Sequence, residues 1–177
     1  MQGIDDCLSR RRLFLRWCHK CADGDDILIG TTSGMASRFE ASSLRPIGRT
    51  SRSMKLKNGD TLADVNVLDG NENSEYVVAV TSLGYGKRIK TDAGVIATKF
   101  KPGLKHKLTC LRPVGGDDEV LVITSKGVIV RQKVSAISSQ GRAATGVLVQ
   151  KLDTGRGDFI SRVSTVPTFE ETDEDMV

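Results

Sequence analysis

Three segments of this 177-residue chain repeat one pattern, and the repetition limits the fold more than any other feature. Thr31-Thr32-Ser33-Gly34-Met35-Ala36-Ser37-Arg38, Thr81-Ser82-Leu83-Gly84-Tyr85-Gly86-Lys87-Arg88 and Thr124-Ser125-Lys126-Gly127-Val128-Ile129-Val130-Arg131 share Thr-x-x-Gly-x-x-x-Arg, each after an apolar run. A second element follows each: Lys55-Leu56-Lys57-Asn58-Gly59, Lys99-Phe100-Lys101-Pro102-Gly103 and Lys151-Leu152-Asp153-Thr154-Gly155. Repeats of this length imply stacked supersecondary units, and a basic residue fixed in each unit becomes a line of charge along the stack.

Each unit reads as short strands. Gly is frequent at 18 residues and aromatics make up only 5% of the chain, which suits strands joined by tight turns better than helices. The first unit offers Ile27–Ile29, Met35–Phe39, Ser53–Lys57 and Leu62–Leu68. The second offers Tyr76–Val80, Tyr85–Ile89, Val95–Phe100 and Leu104–Leu111, and the third Val120–Ile123, Val128–Lys133, Val147–Leu152 and Phe159–Val166. Four antiparallel strands per unit make a propeller blade, so the expectation is an all-β, propeller-like fold with about three blades near 26–70, 75–114 and 118–167. Residues 1–25 match no repeat and read as a leader or the remnant of an upstream unit. Ser33-Gly34 is expected to turn a hairpin, since Gly reaches positive φ without steric cost.

Side-chain alternation puts Arg38, Arg88 and Arg131 at one strand position, on the face opposite Met35 and Phe39, Tyr85 and Ile89, and Val128 and Val130. This is expected to be a non-core face. The runs before them, such as Val77-Val78-Ala79-Val80, are apolar on both faces, as expected of strands sandwiched between blades. The net charge is +4, and the last nine residues hold five acids and no base (Glu170, Glu171, Asp173, Glu174, Asp175), so the rest of the chain is more basic than the whole. That asymmetry points to a polyanionic partner, with 168–177 as an acidic disordered tail.

Between the two shared elements the units diverge. Gly34 to Gly48-Arg49 and Gly127 to Gly141-Arg142 span the same 14 residues, and such a loop lets backbone and guanidinium approach a phosphate. The second unit has no counterpart: Gly84 to Lys99 covers 15 residues where Gly127 to Lys151 covers 24. Its rim is therefore expected to lack a Gly-Arg loop.

Ser43-Leu44-Arg45-Pro46-Ile47-Gly48-Arg49-Thr50, Leu83-Gly84-Tyr85-Gly86-Lys87-Arg88 and Gly141-Arg142-Ala143-Ala144-Thr145-Gly146-Val147 resemble the C-terminal β-pinwheel domain of DNA gyrase A, over roughly residues 24–167. The resemblance implies four-stranded blades with a positive rim that wraps duplex DNA. It also implies an intact enzyme in which gyrase B and the gyrase A breakage domain couple ATP hydrolysis to negative supercoiling. Arg38, Arg45, Arg49, Arg52, Lys87, Arg88, Arg131 and Arg142 are the expected DNA contacts. The family's Gln-Arg-Arg-Gly-Gly-Lys-Gly box does not occur here, which suggests an open arc and a fragment, a gene-model error or a decayed copy. The alternatives are the related topoisomerase IV C-terminal domain and a propeller-type protein-interaction scaffold.

Catalytic chemistry finds little support. Tyr85 aligns with Met35 and Val128 as a strand residue, and the family's cleaving tyrosine belongs to an upstream domain. No Gly-x-x-x-x-Gly-Lys-Ser/Thr loop occurs, so no cofactor is expected on this chain, and ATP and Mg²⁺ are assigned to the rest of the enzyme. Cys18-His19-Lys20-Cys21 has one zinc-type spacing but no second pair. The cysteines are read as reduced thiols, and no apolar run approaches the roughly 20 residues of a membrane-spanning helix. The expected location is the bacterial cytoplasm and nucleoid, or a plastid or mitochondrion in a eukaryote, for which Arg10, Arg11, Arg12 and Arg16 are a weak transit-like signal.

Overall fold

The computed structural model describes residues 15–44, 56–57, 59–68, 76–90, 98, 100, 103, 106–141 and 143–166. Among these described residues ten strands form: β1 (Asp26–Thr31), β2 (Ala36–Glu40), β3 (Leu62–Leu68), β4 (Tyr76–Thr81), β5 (Tyr85–Lys90), β6 (Leu108–Val114), β7 (Glu119–Thr124), β8 (Ile129–Lys133), β9 (Val147–Leu148) and β10 (Ile160–Val166). The only helical elements among the described residues are three-residue 3-10 turns.

The repeat motif builds the same hairpin three times. In each, the Thr carbonyl accepts from the Gly N–H three residues on, at 2.9 Å for Thr31–Gly34, 3.0 Å for Thr81–Gly84 and 3.1 Å for Thr124–Gly127. The three glycines have φ of 86°, 80° and 83°, the left-handed region that closes a short loop between right-twisted strands. β1–β2, β4–β5 and β7–β8 therefore pair in one register: Leu28 faces Arg38, Val78 faces Arg88 and Leu121 faces Arg131. A third strand joins the other side of each first strand, giving the orders β2-β1-β3, β5-β4-β6 and β8-β7-β10. The register slips near the hairpin Thr in all three, so one bulge recurs and bends each blade alike. β6 packs against both β3 and β10, which makes these three the adjoining inner strands and β2, β5 and β8 the outer ones.

Alternation sends neighbouring side chains into different seams. Val77 and Ala79 pack with Leu28, Ala36, Leu68, Ile89, Leu108 and Leu111 between blades 1 and 2. Val78 and Val80 pack with Val120, Val122, Val134, Ile137, Ile160 and Val163 between blades 2 and 3. Both faces of the middle sheet are thus core, which is why its strand reads as an unbroken apolar run. The buried Cys110 lies in the second seam, where burial pushes its thiol up.

The allocation of four strands to each repeat is corrected by the pairing. β9, from the third repeat, adds to the edge of β5 in the second, with Tyr85 opposite Leu148 and Gly86 opposite Val147. The Gly84 carbonyl accepts from Val149 N–H at 2.8 Å. One blade earlier the Gly34 carbonyl accepts from Thr98 N–H at 2.7 Å. Each repeat hands a segment back to the hairpin before it. Alternation along a strand shows which way a side chain points but not which sheet edge the strand joins, so sequence left this exchange open. Of the expected third strands, Ser53–Lys55 and Val95–Ala97 lie outside the described residues.

Candidate nucleic-acid interface

Strand exchange carries the third repeat's loop onto blade 2. After β8 the chain runs back along β5: Arg88 N–H donates to Ser138 O at 3.0 Å, and Gln140 N–H donates to Arg88 O at 3.0 Å. The Lys87 ammonium donates to the carbonyls of Gly141 and Ala144, each at 2.9 Å, so it grips both sides of the loop that carries position 142. Gly146 then crosses so close to Gly86 that a methyl group on it would come within 2.6 Å of the Gly86 oxygen. The Gly-Arg loop of repeat three therefore belongs to the rim of blade 2. The expectation that the middle blade lacks such a loop is overturned for that reason. The short connection of repeat two leads instead to Thr98, at the turn of blade 1.

Lys87 is also the clearest correction among the expected DNA contacts. It is 1% exposed, and burial lowers its ammonium from the ordinary 10.5 to about 8. Its charge is directed at backbone carbonyls inside the protein, so Lys87 positions a loop and does not face solvent.

The three in-register arginines share a place in the blade but not a partner. Arg38 forms an ion pair with Asp26 at 2.5 Å, and Arg131 forms one with Glu119. Arg88 has Tyr76 at the position of those acids and lies over its ring, 4.8 Å from the centroid. Its Nε donates to Ile137 O at 2.5 Å and its Nη2 to Ser135 O at 3.3 Å. The face of Arg38 and Arg88 is a correction too. Leu28 and Val78, beside Arg38 and Arg88, are buried in the seams, so the expected non-core face is the face toward the next blade. Blade 2 meets a neighbour on both faces, whereas the Arg131 side chain on blade 3 stays largely exposed.

Arg45, Arg49, Arg52 and Arg142 lie outside the described residues. What precedes them is described: the chain leaves β2 at Glu40 and β8 at Lys133 through matching 3-10 turns, Ala41–Ser43 and Val134–Ala136. Lys90 and Lys133 are exposed at the ends of β5 and β8, at equivalent positions on the outer strands. Lys133 was not among the expected contacts. Its signal is the position two residues after the repeated Arg, which reads Glu40, Lys90 and Lys133.

A carboxylate also braces the hairpin turns of blades 1 and 3. Asp60 accepts from Ser33 N–H at 2.9 Å, Ser33 Oγ at 2.5 Å and Thr32 Oγ1 at 2.8 Å. Burial pushes its carboxyl up, but the hydroxyl and backbone donors outweigh that and hold it down at about 2. Asp158 does the same with Ser125 and Lys126 N–H, and its carboxyl is likewise lowered. In blade 2 the equivalent residue is His106, buried and stacked on Phe100 with centroids 5.8 Å apart. Among the described residues no cluster of three or more metal-ligating side chains occurs, and Cys18 and Cys21 are free and exposed.

Strand-exchanged blades with an outer edge fed by basic loops define a class of propeller-like, pinwheel domain. Known proteins of this class match the chain: residues 25–69, 75–93 and 118–167 fit the family described as DNA gyrase C-terminal domain, beta-propeller. DNA gyrase A of Staphylococcus epidermidis is 39% identical over 153 residues, covering 80% of this chain and 17% of that protein. The Synechocystis gyrase A is 33% identical over 196 residues, covering 86% and 22%. A solved DNA gyrase A C-terminal domain aligns with a TM-score of 0.68 at 26% identity, covering 80% of this chain and 50% of that one. A topoisomerase IV C-terminal domain aligns at 0.72 with 21% identity, covering 82% and 47%, a likeness of fold. The chain belongs to the DNA gyrase C-terminal domain family, and it spans about a fifth of the length of the curated relatives it matches.

Proposed function

We propose that this chain binds duplex DNA along its outer edge, as a wrapping module of a type II topoisomerase of the gyrase A kind. The observation that carries the reading is the Gly141–Ala144 loop, which carries Arg142 and which Lys87 anchors on the outer strand of blade 2. In this reading Arg142, with Arg45, Arg49 and Arg52 of the first repeat's Gly-Arg segment, would contact DNA together with the exposed Lys90 and Lys133. Such contacts go to phosphate and carry no sequence information. Arg38 and Arg131 keep a surface role only by exchanging an acid for a phosphate. Lys87 and Arg88 support the loop from beneath. In the full enzyme the DNA so held would be passed through a break made by the gyrase A breakage domain, with ATP and Mg²⁺ handled by gyrase B and the rest of the assembly, in the bacterial cytoplasm at the nucleoid.

The test is a salt titration of binding to linear duplex, followed by fluorescence anisotropy. Neutralising Z phosphates gives a log–log slope of about −0.9Z, so four to six contacts give roughly −4 to −5. Scrambling the duplex sequence should leave affinity unchanged. A slope near zero would remove the DNA reading and leave the protein-interaction scaffold.

A further inference from the structure

The inner strands carry charged residues that neither the seams nor the outer edge uses. Residues 16–19, before β1, face β3, β6 and β10 across a cavity of about 520 Å³. Its charged lining is Arg16 and His19 from that segment, Asp64 from β3, Arg112 from β6 and Arg162 from β10, with Trp17 half-buried beside them. None of these residues belongs to an outer strand, so the cavity is separate from the edge assigned to duplex DNA.

A fixed hydrogen-bond network forms its floor. Asp64, 3% exposed, accepts from the N–H groups of Val65 and Leu111, each at 3.1 Å, and has Arg112 Nε at 3.5 Å. Arg112 Nη1 donates to Asn66 Oδ1 at 2.7 Å, and Asn66 Nδ2 donates to Leu111 O at 2.6 Å. The guanidinium is thereby held in one orientation, yet its buried Nε makes no hydrogen bond among the described residues. Arg16 lies over the Trp17 ring, 5.5 Å from its centroid, and Arg162 is exposed; neither has an ion pair among the described residues. Three guanidinium groups from three separate elements therefore line one cavity against a single carboxylate that is already satisfied from within the protein.

Like charges gathered around a cavity repel one another until an anion neutralises them, and the guanidinium fork matches the oxygens of a phosphate in geometry. Volume selects among phosphates, because a cavity of this size takes a small ligand and excludes a duplex. We propose that this cavity is an anion site that binds a small phosphate-bearing ligand, inorganic phosphate or a mononucleotide, through Arg16, Arg112 and Arg162. Asp64 and Asn66 hold Arg112 in place, and Trp17 closes one wall.

Trp17 is the single tryptophan of the chain, so its emission reports on this cavity. Titrating the full chain with sodium phosphate at constant ionic strength should give a saturable change in tryptophan fluorescence, with the same affinity by calorimetry, and sodium chloride should give none. Arg162→Gln and Arg16→Gln alter exposed side chains, so circular dichroism should be unchanged while each weakens phosphate binding about tenfold, the loss of one charge-assisted contact. Adenosine monophosphate separates the two sources: tighter binding than phosphate identifies a mononucleotide, and equal binding identifies the free anion. No saturable binding by either method, an equal response to chloride, or binding untouched by both substitutions would overturn the proposal. A response to linear duplex alone would overturn it too, and would make the cavity part of the DNA surface.

Discussion

The middle blade and its two neighbours use one hairpin but hold it differently. In blades 1 and 3 carboxylates do the bracing: Asp26 and Glu119 take the repeated Arg, and Asp60 and Asp158 cap the turn. In blade 2 both positions carry rings, Tyr76 under Arg88 and His106 against Phe100 and Tyr85. The middle blade has a seam on each side and a returning chain along its outer edge. A carboxylate there would lose water, whereas a ring gains contact area and still receives the guanidinium. Blade position, more than repeat ancestry, explains which chemistry each turn uses.

The contrast should be largest at the turn glycines. Gly84→Ala and Gly127→Ala each force an alanine into left-handed backbone, costing about 1–2 kcal/mol. Only at Gly84 does the methyl group also collide with the returning carbonyl of Gln150. Urea unfolding should show Gly84→Ala losing more than about 3 kcal/mol and Gly127→Ala only the backbone strain. Equal losses would mean the exchanged segment does not close over Gly84.

Arginine truncation should give the next largest difference between the blades. Arg88→Ala leaves the Ile137 carbonyl without its guanidinium donor, a loss of about 1–3 kcal/mol. Arg131→Ala breaks a largely exposed ion pair, for about 0–1 kcal/mol. Thermal melts of the two variants should separate in that order.

Smaller effects should appear as pH dependence. Folded Lys87 gives up its proton near pH 8 and the unfolded chain near 10.5, so the unfolded state binds more protons in between and stability should rise with pH across that window. Lys87→Met should abolish the rise and, through the loosened loop, weaken DNA binding. At the acid end, the stability that Asp60 contributes is complete above its ordinary 3.8 and is lost as pH falls through about 2. Asp60→Asn should flatten that part of the acid limb. An acid limb unchanged by the substitution would show that the turn cap does not hold the folded state.

Much of the fold was legible in the residues. Leu62–Leu68 is a strand as expected, the hairpin pairs fall within a residue or two of their expected limits, and the glycines turn where the repeat puts them. The interface was less legible. Arg38, Arg88 and Arg131 read alike in sequence, yet their partners sit at Asp26, Tyr76 and Glu119, twelve residues earlier across a hairpin. Lys87 reads as one more rim cation beside Arg88, and nothing local tells that a loop some 54 residues downstream will close over it.

What the sequence determined by itself is the repeated unit: Gly in left-handed turns, alternating strands and a basic residue at a fixed register, all set by interactions spanning few residues. Only the tertiary structure decided which blade each loop serves and which charges stay in water. Those outcomes depend on the edge of β5 receiving β9, a pairing between repeats, and on the desolvation it imposes on Lys87 and Arg88. Local propensity carries no information about which of three similar edges a returning strand will join.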